Sequence, residues 1–410
     1  MLPVSQAEAL ILEHLTPLTT LETVPLVQAH RRILGASVIS TRDFPDWANS
    51  AMDGYAVKFS DVKVASPDRP ITLSITEDIP AGQEPQFSLG SGQAARILTG
   101  AKLPQGADTV IMQENSQRSG PQVTILAAPP HPGHFVRDRG EYCRQGDELL
   151  KRGIRLQAPE LAILATAQVS QVSVYRRPQV ALFSTGDELI TVDQTLTGAK
   201  IVDSNQYALT AFVESLGAIP VPLGIVPDDP QALKTTMKKA ITSADMVLST
   251  GGVSVGDYDY VEKLLEELGG QILIRSVAMK PGKPLTVAQF ANGCLYFGIP
   301  GNPVSALVCC WRLVQPALKK LSGLQAPWSP TWVKGKTQSL LKSDGQRETY
   351  CWGRVSLDEA GEFCFQVASG SHSSGNLMNL AQTNALAVLP IGIKEIAPHE
   401  TVTLLLPNAL

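Results

Sequence analysis

Leu248-Ser249-Thr250-Gly251-Gly252-Val253-Ser254-Val255-Gly256-Asp257-Tyr258-Asp259-Tyr260 decides how the chain is read. It follows a short apolar run, Met246-Val247-Leu248, of the kind that forms a buried strand. It precedes Val261, Leu264, Leu265 and Leu268, an apolar stripe at helical spacing. Strand, glycine-rich turn, helix is the order this predicts. Gly251, Gly252 and Gly256 would let the backbone approach a ligand closely, and a helix N-terminus favours anions. Asp257 and Asp259 beside such a turn fit a hard cation such as Mg²⁺. The same residues also fit a glycine turn with an acidic helix cap, so the neighbouring stretches must decide.

The neighbours repeat the theme. Val180–Phe183 reads as a buried strand ending in Ser184-Thr185-Gly186-Asp187-Glu188-Leu189. Asp203-Ser204-Asn205 caps a helix that Gly217 stops, and Val221–Val226 is a strand followed by Asp228-Asp229-Pro230 at a helix start. Ile272–Met279 reads as a strand leading into Lys280-Pro281-Gly282-Lys283-Pro284. Two more strands, Leu285–Phe290 and Cys294–Ile299, lead to Pro300-Gly301-Asn302-Pro303-Val304-Ser305 and a helix reaching about Leu321. Such alternation predicts a doubly wound, mostly parallel α/β domain. Ligands bind beyond the carboxyl ends of such strands. The four loaded turns, 184–188, 228–229, 251–259 and 280–283, are therefore expected on one rim. Acids for a divalent cation, glycine turns and two lysines together suit a phosphate ester or anhydride.

Two common phosphate motifs are absent. Gly251 to Gly256 has the glycine spacing of a P-loop, but Asp257-Tyr258 stands where Lys and a hydroxyl belong. No strand end supplies Gly-x-Gly-x-x-Gly. A Ser/His/Asp triad is poorly supported, because residues 178–325 contain no histidine.

Outside this region the rhythm differs. Ser5-Gln6-Ala7-Glu8 forms a capping-box pattern ahead of a helix to about Leu15, and a short helix is expected over Val27–Leu34. Asp43 to Val57 is dense in polar and turn residues, and admits either a loop entering a strand or a ligand-reading segment. From Val57 to Leu150, short alternating runs between Pro/Gly turns predict a small β unit. Leu156–Gln168 reads as a helix with Pro159 in its first turn, and Arg176-Arg177-Pro178 as a hinge. After a linker from Gly323 to Pro330 comes a second β unit, with Arg347, Arg354 and the loop Gly370-Ser371-His372-Ser373-Ser374-Gly375-Asn376.

With 410 residues, the chain exceeds one core and suggests roughly two to four domains. A net charge of −4 argues against non-specific nucleic-acid binding. No apolar run reaches the roughly 20 residues of a bilayer span, and no signal peptide is read at Met1–Gln6. Cys143, Cys294, Cys309, Cys310, Cys351 and Cys364 contain no Cys-x-x-Cys, which predicts reduced thiols in a cytoplasmic protein. His131 and His134 lack a third ligand, so zinc is not expected there.

Six stretches carry a family resemblance. Asn49–Ala56, Leu98–Ala101, Phe183–Leu189, Ser249–Gly256, Lys280–Pro284 and Pro300–Ser305 look like those of the molybdopterin molybdenumtransferases, metal-insertion enzymes related to the E domain of gephyrin. The likeness covers nearly the whole chain in the right order. It implies a split N-terminal domain (1–45 and 146–177), an inserted β domain (46–145), the α/β molybdopterin-binding-like domain (178–325) and a C-terminal β-barrel domain (326–410). It also implies a homodimer with the active site between subunits. The substrates would be adenylylated molybdopterin and molybdate, the cofactor Mg²⁺, the released product AMP, and the substrate donor a molybdopterin adenylyltransferase.

Position by position, Asp53, Thr99, Glu188, Asp228, Asp259, Pro300, Pro303 and Ser371 match functional positions of the family, and Lys280 and Lys283 match its basic turn. On physical grounds Glu188 and Asp259 are expected to hold or orient Mg²⁺ at the phosphoanhydride, and Lys280 and Lys283 to stabilise negative charge on phosphate or molybdate. The resemblance implies that Ser50, Thr185, Gly186, Asp187, Gly251, Gly252, Ser254 and Gly256 contact substrate, while Asp53 and Thr99 reach in from the partner subunit. Two positions depart from the pattern: Tyr142 stands where the family usually has Asp, and Ser276 where a basic or polar residue often stands. A nucleotide pyrophosphatase on the same α/β domain and a gephyrin-like scaffold are the competing readings. The two β units and the Asn49–Tyr55 motif weigh against the first, and the absence of a long disordered segment against the second.

Overall fold

The computed structural model describes residues 1–252 and 260–407. By its internal contacts the chain forms two compact units. The larger comprises Met1–Gly35, Gly153–Ala158 and Gln171–Leu410; the smaller comprises Ala36–Arg152 and Pro159–Ser170.

The larger unit is built on a six-stranded sheet. Its strand order is Ile219–Val226, Gln179–Thr185, Met246–Thr250, Leu295–Ile299, Thr286–Gln289, Gln271–Ile274. The first four run parallel, and Thr286–Gln289 is antiparallel to both its neighbours. Side chains alternate between two cores, as a sheet covered on both faces requires. Val180, Leu182, Met246, Leu248, Leu295 and Phe297 face one core, with Leu209, Phe212 and Val213 of the helix Ser204–Ser215. Ala181, Phe183, Val247 and Tyr296 face the other, with Leu233 and Met237 of Pro230–Ser243 and with Val261, Leu264 and Leu265 of Val261–Glu267. The doubly wound, mostly parallel α/β arrangement is thus present.

A second sheet in the same unit closes on itself. Glu348–Leu357 pairs with Phe363–Val367 along one half and with Ala385–Leu389 along the other. Thr331–Thr337 and Thr401–Leu406 complete the five-stranded barrel expected of the C-terminal region. The helix after Pro300 runs as Pro303–Cys309, a π-helical stretch Cys310–Val314, and Gln315–Leu321. Pro316 explains the widened turn, since it has no N–H to give to the ladder.

Local expectations fail at two places near the N-terminus. The first helix, Val4–Glu13, has Pro3 as its N-cap and no side-chain capping bond. Glu8 serves tertiary structure instead: it pairs with the buried Arg312 at 2.8 Å and accepts a bond from Ser329. The helix expected over Val27–Leu34 is a single 3₁₀ turn, Leu26–Gln28. Ile33 and Leu34 are instead drawn into β-bridges with Arg155 and Val174, where strand contact outweighs local propensity.

The smaller unit holds the other six-stranded sheet. Its order is Thr109–Met112, Gly54–Val57, Gln93–Ile97, Ile71–Ile79, Gln122–Ile125, Ser116–Ser119. A short pairing of Asn49–Ser50 with Val136–Arg137 lies beside it. Among the described residues, no helix is long and apolar enough to cross a membrane.

Candidate active site

The four parallel strands end in register. Thr185 is opposite Val226, Ser184 opposite Thr250, and Thr250 opposite Ile299. Their last side chains form a polar floor: Thr250 Oγ1 donates to Ser184 Oγ at 2.9 Å, and the Tyr296 hydroxyl donates to Ser249 Oγ at 2.7 Å. Thr185 is buried and donates its hydroxyl to Asp228 Oδ1 at 2.6 Å. The Asp228 N–H in turn donates to Asp187 Oδ1 at 3.2 Å. Hydroxyls and acids thus brace one another behind the rim.

The glycine turn needs its glycines. Gly251 has φ +89°, and a Cβ there would sit 2.4 Å from the Thr185 carbonyl oxygen. At Gly186 a Cβ would press within 2.6 Å of the Glu188 carboxylate. Only a residue without a side chain at 251 lets the ends of Gln179–Thr185 and Met246–Thr250 crowd together, whereas at 186 the neighbour is the movable end of a side chain.

Over this rim lies a cavity of about 490 Å³, lined by Thr185, Glu188, Asp203, Thr250, Gly251, Gly252, Pro300 and Pro303 among others. Asp203 is buried, and one of its oxygens caps the Ser204–Ser215 helix through the Gln206 N–H at 3.1 Å. This cavity is acidic: Glu188 and Asp203 line it, and no Lys, Arg or His does among the described residues.

A second cavity of about 620 Å³ adjoins it. The two share Pro284, Pro300 and Asn302. Its wall carries Lys280, Lys283, Lys342, Arg347 and His372, with the hydroxyls of Ser305, Ser373 and Ser374. Asp344 braces the cations, 3.2 Å from Lys280 Nζ and 3.0 Å from Arg347. The Gln346 N–H, then Arg347 and Lys280, hold the Asp344 carboxyl well below the usual carboxylate range. An acidic, glycine-floored cavity therefore stands wall to wall with a basic, hydroxyl-rich one.

The smaller unit carries a third group of predicted residues. Asp53 Oδ1 accepts from both the N–H and the hydroxyl of Thr99, at 2.8 and 2.7 Å. Those two bonds hold the Asp53 carboxyl below its ordinary value. Both residues are exposed. Ser50 is fully buried, and its hydroxyl is spent on the Met52 carbonyl at 2.5 Å.

The structure therefore gathers Thr185, Glu188, Gly251, Gly252, Pro300 and Pro303 around one cavity and Lys280 and Lys283 around its neighbour. Gly186, Asp187 and Asp228 are absent from both linings, although Asp187 and Asp228 brace the first through Thr185. Ser371 lines neither; its carbonyl accepts from Asn376 and Asn379 within the loop, each at 2.9 Å. Ser254, Gly256 and Asp259 lie outside the described residues. One expectation needs correcting: the lysine turn does not end a strand of the central sheet. That strand stops at Ile274, and Met279-Lys280 pairs with Glu348-Thr349 of the barrel sheet. The lysines reach the rim because the turn precedes Thr286–Gln289, the antiparallel strand, whose start lies at that edge.

Several lining residues were not tied to the site by the sequence. Asp203 was legible only as a helix cap, and Asn302 as part of a turn. Lys342, Arg347, His372 and Ser374 come from the barrel, and no local pattern ties them to the α/β rim. Among the described residues, no group of three or more His, Cys, Asp or Glu side chains is placed to hold a metal ion. The hard oxygen donors Glu188, Asp203 and Thr185 nonetheless suit an Mg²⁺ held by one or two carboxylates and completed by ligand phosphates.

Three family descriptions match the chain in succession. Residues 2–167 match the MoeA N-terminal region (domain I and II), 181–320 a probable molybdopterin binding domain, and 334–406 the MoeA C-terminal region (domain IV). A molybdopterin molybdenumtransferase of Nostoc sp. is 55% identical over 373 residues, covering 90% of this chain and 85% of that one. One from Haemophilus influenzae is 35% identical, covering 98% of each. The crystal structure of the molybdopterin biosynthesis MoeA protein of Pyrococcus horikoshii superposes with a TM-score of 0.85 at 29% identity, over 99% of this chain and 100% of that one.

Proposed function

The chain belongs to the molybdopterin molybdenumtransferase family, and on that premise we propose that it inserts molybdenum from molybdate into adenylylated molybdopterin with release of AMP. The observation that carries the reading is the pair of adjoining cavities of opposite character. Molybdate is a compact dianion, and the basic cavity offers it Lys280, Lys283 and Arg347 with serine hydroxyls nearby. The phosphoanhydride belongs at the shared wall, with the glycine floor at Gly251-Gly252 allowing backbone to approach phosphate oxygens. Fixed charges and dipoles of this kind act without reorganising during the reaction.

Mg²⁺ is part of the proposal. Glu188 would hold it, together with Asp259. Bound there, it would neutralise phosphate charge and polarise the bond to the leaving AMP. Asp228, braced by Thr185, keeps the floor of the acidic cavity in place. Asp53, ionised through its two Thr99 bonds, is proposed to enter the site from the partner subunit of a homodimer. A cytoplasmic protein receiving its substrate from a molybdopterin adenylyltransferase completes the reading.

The test is direct. Purified protein is incubated with adenylylated molybdopterin, Mg²⁺ and molybdate, and AMP and pterin-bound molybdenum are followed together. AMP release that depends on molybdate supports the reading. AMP release indifferent to molybdate would favour plain hydrolysis of the anhydride and overturn it.

A further inference from the structure

The helix that opens at Pro303 is not capped by its own sequence. Asn302 occupies the N-cap position, where asparagine is among the best residues, yet its side chain makes no capping bond. Pro303 has no N–H to satisfy. The next N–H, that of Val304, goes instead to the carbonyl of Ser374 at 3.2 Å. In return, Asn302 Nδ2 donates to Ser374 Oγ at 3.2 Å. The barrel loop supplies the cap, and the residue that would have capped the helix holds the loop.

This exchange sits where the two cavities meet. Asn302 lines both. On the loop, Gly375 lines the acidic cavity, and His372, Ser373 and Ser374 line the basic one. The loop is already shaped by its own contacts. Asn376 and Asn379 hold the Ser371 carbonyl, and His372 packs tilted against Trp352 with ring centroids 4.6 Å apart. A pre-shaped loop needs few tethers, and this pair of bonds reaches it from the α/β rim.

We propose that Asn302 is a positioning residue: it latches the 370–376 loop to the rim and so fixes the basic cavity against the acidic one. The inference rests on the function proposed above for its catalytic consequence, which is alignment of molybdate with the anhydride. The latch also opens at small cost. When the loop lifts, the Asn302 side chain is free to turn onto its own helix N-terminus, replacing the bond lost. The site can thus admit a bulky pterin nucleotide and close again over it.

The experiment is Asn302→Ser in the full-length protein. Serine still caps a helix but is too short to hold Ser374 as asparagine does. The melting temperature is expected to stay near that of the wild type. Amide exchange over residues 371–376 should speed up about tenfold. The rate of molybdenum insertion should fall about tenfold, and more AMP should be released per molybdenum inserted, because water replaces a misaligned oxyanion. Unchanged exchange, or lost activity that merely follows a lowered melting temperature at an unchanged AMP-to-molybdenum ratio, overturns the latch. Should the wild type release no AMP with molybdate, the functional reading falls on its own, and the exchange comparison still decides the latch.

Discussion

Lys280 Nζ lies 3.2 Å from Asp344 Oδ2, so a turn of the α/β region and a turn of the barrel hold one another by charge at the mouth of the basic cavity. Arg347 shares the same carboxylate. The cations are therefore pre-positioned rather than free to collapse onto an arriving anion. Replacing Lys280 or Lys283 with Met is expected to raise the KM for molybdate about tenfold each, with little loss of stability because both are exposed. Asp344→Asn should raise it less, roughly threefold, since it removes a brace and leaves the charges. Steady-state AMP release at varied molybdate, alongside thermal melts, checks all three.

Gly251→Ala should damage both fold and site. The residue sits at positive φ, and the new methyl would press on the Thr185 carbonyl. A loss of about 2 kcal/mol or more in urea unfolding is expected, with weakened substrate binding. Stability and KM equal to wild type would show that the turn has room.

Thr185→Val keeps the shape and removes one donor. Asp228 then loses the 2.6 Å bond from a buried hydroxyl. A cost of about 1 kcal/mol is expected in urea unfolding, with kcat reduced more than KM if Asp228 acts after substrate binds.

The Asp53 carboxyl titrates below its ordinary value, first because of the Thr99 N–H and then the Thr99 hydroxyl. A depressed folded-state pKa stabilises the protein above the unfolded value near 3.8, and that contribution disappears as pH falls through the folded value. Thr99→Val removes the hydroxyl bond and keeps the backbone one. The carboxyl signal of Asp53 in an NMR titration should therefore move up toward 3.8 without reaching it. At neutral pH Asp53 remains ionised in both proteins, so any activity change there reports geometry rather than charge.

If the active site joins Asp53 of one subunit to Glu188 of the other, Asp53→Ala and Glu188→Gln homodimers should each be inactive and yet complement. After mixing and exchange of subunits, about a quarter of all sites would be intact. No recovery of AMP release would place both residues in one subunit's site or exclude the dimeric arrangement.

The central architecture was legible because its signals are local. Buried apolar runs such as Met246-Val247-Leu248, helix starts such as Asp203-Ser204-Asn205 and Asp229-Pro230, and stops such as Gly217 appear where the chain alternates. The glycine, acid and lysine turns also stood out, because strand ends rarely carry such residues without reason. What was not legible is what long-range pairing decides. Met279-Lys280 belongs to the barrel sheet because of Glu348-Thr349, nearly 70 residues on. Arg347, His372 and Ser374 reach the basic cavity only because the barrel closes. Glu8 looked like half of a capping box, yet Arg312 claims it.

That last pair bears on how the protein tolerates shortening. Arg312 is buried under Tyr350 and beside Trp332, and Glu8 is its nearest opposite charge on another helix. Removing the first dozen residues would strand a guanidinium in the interior, a loss felt far from the cut. Trimming into the opening helix would therefore leave Arg312 without its Glu8 partner beneath the barrel residues Tyr350 and Trp332.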